Sequence, residues 1–132
     1  AQKALHENLL TVVHGVDQNG DLLLNAYDKV GIEPMQLTLL VLPNGVHALR
    51  THQLDLTNGV DSRGRLLIIK NDAHGMSDAL LCLLLIYKKY SVAKQNNRLN
   101  TLYGTDIDGH LRTSVDDVCG TDIEVLMARL LD

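Results

Sequence analysis

The chain has no tryptophan and no phenylalanine; its only aromatic residues are Tyr27, Tyr87, Tyr90 and Tyr103. Each aromatic ring normally buries a large area in a core, so aliphatic side chains must fill this one. Cysteine is scarce too. Cys82 and Cys119 cannot build a disulfide framework, and nothing argues for secretion. An excess of positive charge is also missing: 12 Lys and Arg stand against 16 Asp and Glu, for a net charge of −4. That balance has the wrong sign for wrapping phosphates, so a nucleic-acid partner is not expected. No apolar run is long. The longest covers 79–87, far short of a bilayer, and the opening residues lack the apolar stretch of a signal peptide. A cytoplasmic or recombinant soluble chain with no membrane partner is the expectation.

What the sequence does have is leucine, 26 of them in 132 residues. At 45% hydrophobic and 21% charged, the chain has the means to build one proper core and is not disordered. Leucine in place of aromatic bulk fits a designed or restricted-alphabet sequence.

An internal repeat organises the chain. The stretch Gly15-Val16-Asp17-Gln18-Asn19-Gly20-Asp21-Leu22 recurs as Gly59-Val60-Asp61-Ser62-Arg63-Gly64-Arg65-Leu66. It recurs again as Gly104-Thr105-Asp106-Ile107-Asp108-Gly109-His110-Leu111, so the offsets are 44 and 45 residues. The same offsets carry Ala4 to Ala48 to Ala93, Asp28 to Asp72 to Asp117, and Gly31 to Gly75 to Gly120. Of the ten glycines, only Gly45 falls outside such a column. The chain therefore reads as a single domain of three units, about 1–44, 45–89 and 90–132.

Each unit reads as short apolar segments around a Gly-x-Asp-x-x-Gly turn. Glycine supplies a positive φ there, and aspartate can bond its own backbone ahead. Apolar segments at 9–13, 54–57 and 99–103 precede the turn, and 22–26, 66–70 and 111–115 return from it. A last run follows at 37–42, 81–86 and 125–131. Ser77-Asp78 ahead of 79–90 is a helix-start signal, and Thr121-Asp122 ahead of 123–131 is similar. Short apolar runs do not separate helix from strand by period alone. Pro34, and Pro43-Asn44-Gly45, leave the equivalent run in the first unit too short for a comfortable helix, which favours strands. The expected architecture is all-β: a β-trefoil of twelve short strands in three pseudo-symmetric units. Leu10, Leu22, Leu37 and their repeat mates form its core, and Leu84 faces outward.

Two stretches carry a resemblance. The first is Gly45-Val46-His47-Ala48-Leu49-Arg50-Thr51-His52 with Asp61-Ser62-Arg63-Gly64-Arg65-Leu66 and Ala73-His74-Gly75. The second is Ser91-Val92-Ala93-Lys94 with Asp106-Ile107-Asp108-Gly109-His110-Leu111. Both resemble units of the hisactophilin and fascin type within the β-trefoil superfamily. The resemblance implies six hairpins, three closing a barrel and three capping it, and implies actin as a partner. A hisactophilin-like chain would also carry an N-terminal glycine for lipid attachment, whereas this one begins at Ala1.

The candidate chemistry is thin. Asp106-Ile107-Asp108-Gly109 looks like the middle of a calcium loop, yet with Gly109 as position six the end ligands would be Gly104 and Val115. Neither supplies a carboxylate, and the other two units fail the same way, so turn chemistry is the better account. The histidines His6, His14, His47, His52, His74 and His110 share no repeat column and form no helix pair. They read as scattered surface residues. Cys82 reads as a small core hydrophobe, and Cys119 as a loop thiol without a neighbouring activator. Ser62, Ser77, Ser91 and Ser114 occupy no nucleophile elbow, and no phosphate loop, dinucleotide fingerprint or zinc spacing is present. Trefoil lectins of the ricin type carry Gln-x-Trp, where this chain has Met35-Gln36-Leu37, Ala79-Leu80-Leu81 and Glu124-Val125-Leu126. The densest basic cluster is Lys88-Lys89 with Lys94 and Arg98, read as a solvated edge. No catalytic, cofactor-binding or metal-binding residue is expected, and no ligand-binding residue is assigned. The expected function is that of a non-enzymatic β-trefoil scaffold of designed character. An actin-binding module of the hisactophilin and fascin type is the alternative, with a carbohydrate-binding lectin behind it.

Overall fold

Proline placement decides where the first helices begin. In a computed structural model of the chain, which describes residues 10, 13–51, 53–96 and 98–131, α1 spans Pro34–Val41 and α2 spans Pro43–Arg50. Proline is welcome at the first helical position, where its missing N–H would be unpaired anyway and its φ is already helical. Pro43 also forces the residue before it out of the helical region. Leu42 accordingly sits extended at φ −69°, ψ 158°, ending α1 and introducing α2 in one residue. Gly45 lies where α1 and α2 press together. A side chain there would collide with the Leu39 and Leu40 carbonyls, which explains the one glycine outside the repeat columns.

The second pair repeats the first. Helix α3 (Asp78–Ile86) starts from Ser77, whose hydroxyl accepts the Leu80 N–H at 3.2 Å, with Asp78 in the first turn. Tyr87, extended, links it to α4 (Lys88–Gln95). Helix α5 (Ile123–Leu131) carries Glu124 in its first turn and Arg129 in its last. Helix α3 is apolar on more than one face. Leu80, Leu81, Leu83 and Leu84 are all buried, as a helix packed against α1, α2 and α4 requires.

The β-trefoil expectation is overturned: the described residues form five helices and no strand. The runs expected as fourth strands are α1, α3 and α5, and the segments around Ala48 and Ala93 lie in α2 and α4. What survives of strand pairing is three isolated antiparallel bridges, Val16 with Leu22, Val60 with Leu66, and Thr105 with Leu111. The hisactophilin and fascin resemblance falls with the fold. With it go the actin-binding and lectin alternatives and the designed β-trefoil scaffold, since each presupposed that barrel. Leu84 is corrected as well: at 6% exposure it belongs to the core.

The pseudo-symmetric closure is replaced by side-to-side linkage. Asp28 accepts the Val60 N–H at 3.2 Å, and Asp72 accepts the Thr105 N–H at 3.2 Å. The Glu33 N–H donates to the Gly64 carbonyl at 2.7 Å, as the Ser77 N–H does to Gly109 at 3.0 Å. Gly64 and Gly109 sit at φ +87°, and a side chain on either would strike the backbone it bonds. The loop ahead of α1 thus clasps the turn of the second unit, and the loop ahead of α3 clasps the turn of the third. Among the described residues no such bond returns from Asp117 to the first unit, so the units form an open stack.

Buried Gln36 strengthens the first joint. Its amide donates to the Met76 carbonyl at 3.1 Å and to Asp78 at 3.0 Å, and its oxygen accepts the Leu66 N–H at 2.9 Å. A fully satisfied buried amide of this kind fixes one register between units. The apolar core is continuous through the stack, from Leu10 through Leu40, Leu66, Leu80 and Leu81 to Leu111 and Leu126. Leu22, Leu37 and Leu99 pack on its margin.

Candidate functional site

The repeated aspartates are the most conspicuous polar groups, and their geometry is structural. Asp17 accepts the Asn19 and Asp21 N–H groups with one oxygen, at 2.8 and 2.9 Å, and the Gly31 N–H with the other at 2.7 Å. Asp61 does the same with Arg63, Arg65 and Gly75, and Asp106 with Asp108, His110 and Gly120. Three backbone donors occupy each carboxylate, leaving it tied to the turn rather than free for a cation. The Gly31 N–H, foremost among these donors, holds Asp17 below the usual carboxylate range. Burial pushes Asp106 upward, but the Gly120, His110 and Asp108 donors outweigh it and leave the carboxyl lowered. Among the described residues, no group of three or more His, Cys, Asp or Glu side chains is placed to hold a metal.

The remaining candidates are dispersed. His110 lies 4.0 Å from Asp106, His47 is exposed on α2, and His14 and His74 are half-buried; His6 and His52 lie outside the described residues. Cys82 is half-buried on α3 and its thiol is pushed up by burial, away from reactivity, while Cys119 is exposed in a loop. Ser77 caps α3, and the Ser91 hydroxyl donates to the Leu84 carbonyl at 3.4 Å. Lys94 donates to the Gln53 carbonyl at 3.0 Å, and burial lowers its pKa. Ser91 and Lys94, each engaged with a backbone carbonyl, share a cavity of about 230 Å³ with Thr51 and Leu54.

A different arrangement emerges on α4 and α5. A groove of about 490 Å³ has an apolar floor of Val92, Ala93, Leu99 and Leu130. Lys88, Lys89, Arg98 and Arg129 line it as well, and among the described residues no carboxylate does. All four cations are exposed, and none makes an ion pair among the described residues. Three of them belong to the basic cluster seen in the sequence. The fourth member of that cluster, Lys94, points away toward Gln53, and Arg129 takes its place. Arg129 is remote from that cluster in sequence and joins it only through the contact of α5 with α4. Val92, half exposed, is an apolar residue that a solvated edge would not require.

Compared with known protein families, curated proteins and solved structures, the chain matches none. No helix among the described residues is long and apolar enough to cross a membrane.

Proposed function

We propose that this chain is a non-enzymatic module that binds a protein partner, with α4 and α5 as its binding face. The observation that carries this reading is the exposed groove between those helices, apolar on its floor and cationic at its edges. Protein interfaces combine a desolvated apolar centre with a polar rim, and stacked helical units present extended faces suited to that purpose. The non-enzymatic part is supported by the fate of the repeated carboxylates, which spend their oxygens on backbone N–H groups. Selection from a displayed library of helical peptides, followed by NMR titration of the full chain, tests the proposal. Saturable shifts centred on Val92, Ala93, Leu99 and Leu130 are the expected result. A selection that returns no saturable binder contradicts it.

A further inference from the structure

From the repetition of one groove in two units, we infer that the α4/α5 groove receives an acidic amphipathic helix of a partner protein. This inference rests on the protein-binding reading above and names the chemistry of the partner. One unit earlier, Asn44, His47, Ala48, Gln53 and Leu85 of α2, α3 and the loop after α2 line a groove of about 380 Å³. Its far wall is a helix: Lys88, Ser91, Val92 and Gln95 of α4. Advancing the first five residues by the repeat offset gives Lys89, Val92, Ala93, Arg98 and Leu130, and every one of them lines the α4/α5 groove. The same surface that faces a helix in one unit is therefore presented again in the next. There its described lining comes only from α4, α5 and the loop at Arg98 and Leu99. A helix is the shape this surface is built to meet.

Charge identifies which helix. At the earlier seat, positions 44 and 53 are the neutral Asn44 and Gln53; at the later one they become Lys89 and Arg98, and Arg129 stands where α3 has Leu84. In a chain of net charge −4, four exposed cations gather around one apolar floor, and among the described residues no carboxylate lines it. Glutamate or aspartate flanking an apolar helix face complements that rim, and steers encounter as well as register. A second copy of this chain meeting the groove through the same face would bring eight like charges together, which disfavours self-association there.

The test uses the full chain and synthetic helical peptides of roughly 14 residues, about four turns. One peptide carries a leucine face flanked by glutamates, one the same face flanked by lysines, and one glutamates with the leucines replaced by alanine. Fluorescence anisotropy should show saturable binding of the first alone, weakened by added salt. The double variant Lys89→Glu/Arg98→Glu should weaken it by about tenfold or more, as reversal of two rim charges implies. Both side chains are exposed, and circular dichroism confirms that the variant keeps its helices; Arg129→Glu provides an independent second reversal. Equal binding of the lysine peptide, or indifference to both reversals, overturns the inference. So does full activity of the alanine peptide, which would reduce the groove to an anion site. Concentration-dependent dimerisation abolished by Val92→Glu would overturn it in favour of a second copy. Failure of this inference is separable from failure of the protein-binding reading. A displayed-library peptide that maps to the α4/α5 groove but carries no acidic residues sinks only this inference, whereas the absence of any peptide binder sinks both.

Discussion

Three N–H donors around one carboxylate make Asp106 the most consequential polar residue of the third unit. Its folded pKa is lowered, because the Gly120, His110 and Asp108 donors outweigh the upward push of burial. The sign follows from linkage: the carboxylate's stabilising contribution is complete above the ordinary carboxylate pKa. It is lost as pH falls through that value toward the lower folded one. Asp72 runs the other way, since burial raises its pKa, so part of the acid response cancels. Asp106→Asn turns an amide donor or a weaker acceptor toward the same N–H groups. It should cost about 1.5–3 kcal/mol at neutral pH, the range for a hydrogen bond to a charged group. Urea denaturation at neutral and acidic pH checks this, with the cost shrinking in acid. A variant as stable as the parent at neutral pH would mean that the turn does not depend on its aspartate.

Helix α3 shows how a correct observation leads to the wrong element. The Gly-x-Asp-x-x-Gly motif was legible as a tight turn because glycine and aspartate have specific backbone chemistry. The leucine run after Ser77 was not legible as a helix because a segment buried on several faces has no clear period. Its helix-start signal was present, and the Ser77 hydroxyl does cap Leu80. Pro34 argues for a shortened helix only if it lies inside one; it stands at the first position of α1, where proline begins a helix. The repeat length does not arbitrate, since three units of four short segments suit a β-trefoil by count alone. Facing follows from the element. An outward Leu84 would tolerate a charge, whereas the buried Leu84 of α3 will not. Leu84→Lys should abolish cooperative unfolding, because an unpaired ammonium would enter the core. Leu81→Ala, in the same helix, should leave a folded protein destabilised by about 2–5 kcal/mol. Thermal melts followed by circular dichroism distinguish these outcomes, and a stable, more soluble Leu84→Lys variant would restore the strand facing.

At the scale of the molecule, the distinction is between closure and stacking. A barrel would bring the first and third units together, but the observed bonds run from the first to the second and from the second to the third. Each unit of such a stack draws its stability from itself and its immediate neighbours. The groove was only partly legible for the same reason. Lys88, Lys89 and Arg98 cluster in sequence, but Arg129 and Leu130 join them through the contact of α5 with α4. Side-to-side linkage also explains why a helix-facing surface recurs on α4. The most direct test is a nuclear Overhauser spectrum of the labelled chain. The expected contacts run from the Gln36 side-chain amide to Leu66 and Met76, and from Asp72 to Thr105, with helical connectivities through 78–86. Cross-strand Hα contacts through 78–86, or contacts from Asp117 to Gly15 and Val16, would contradict the helical stack.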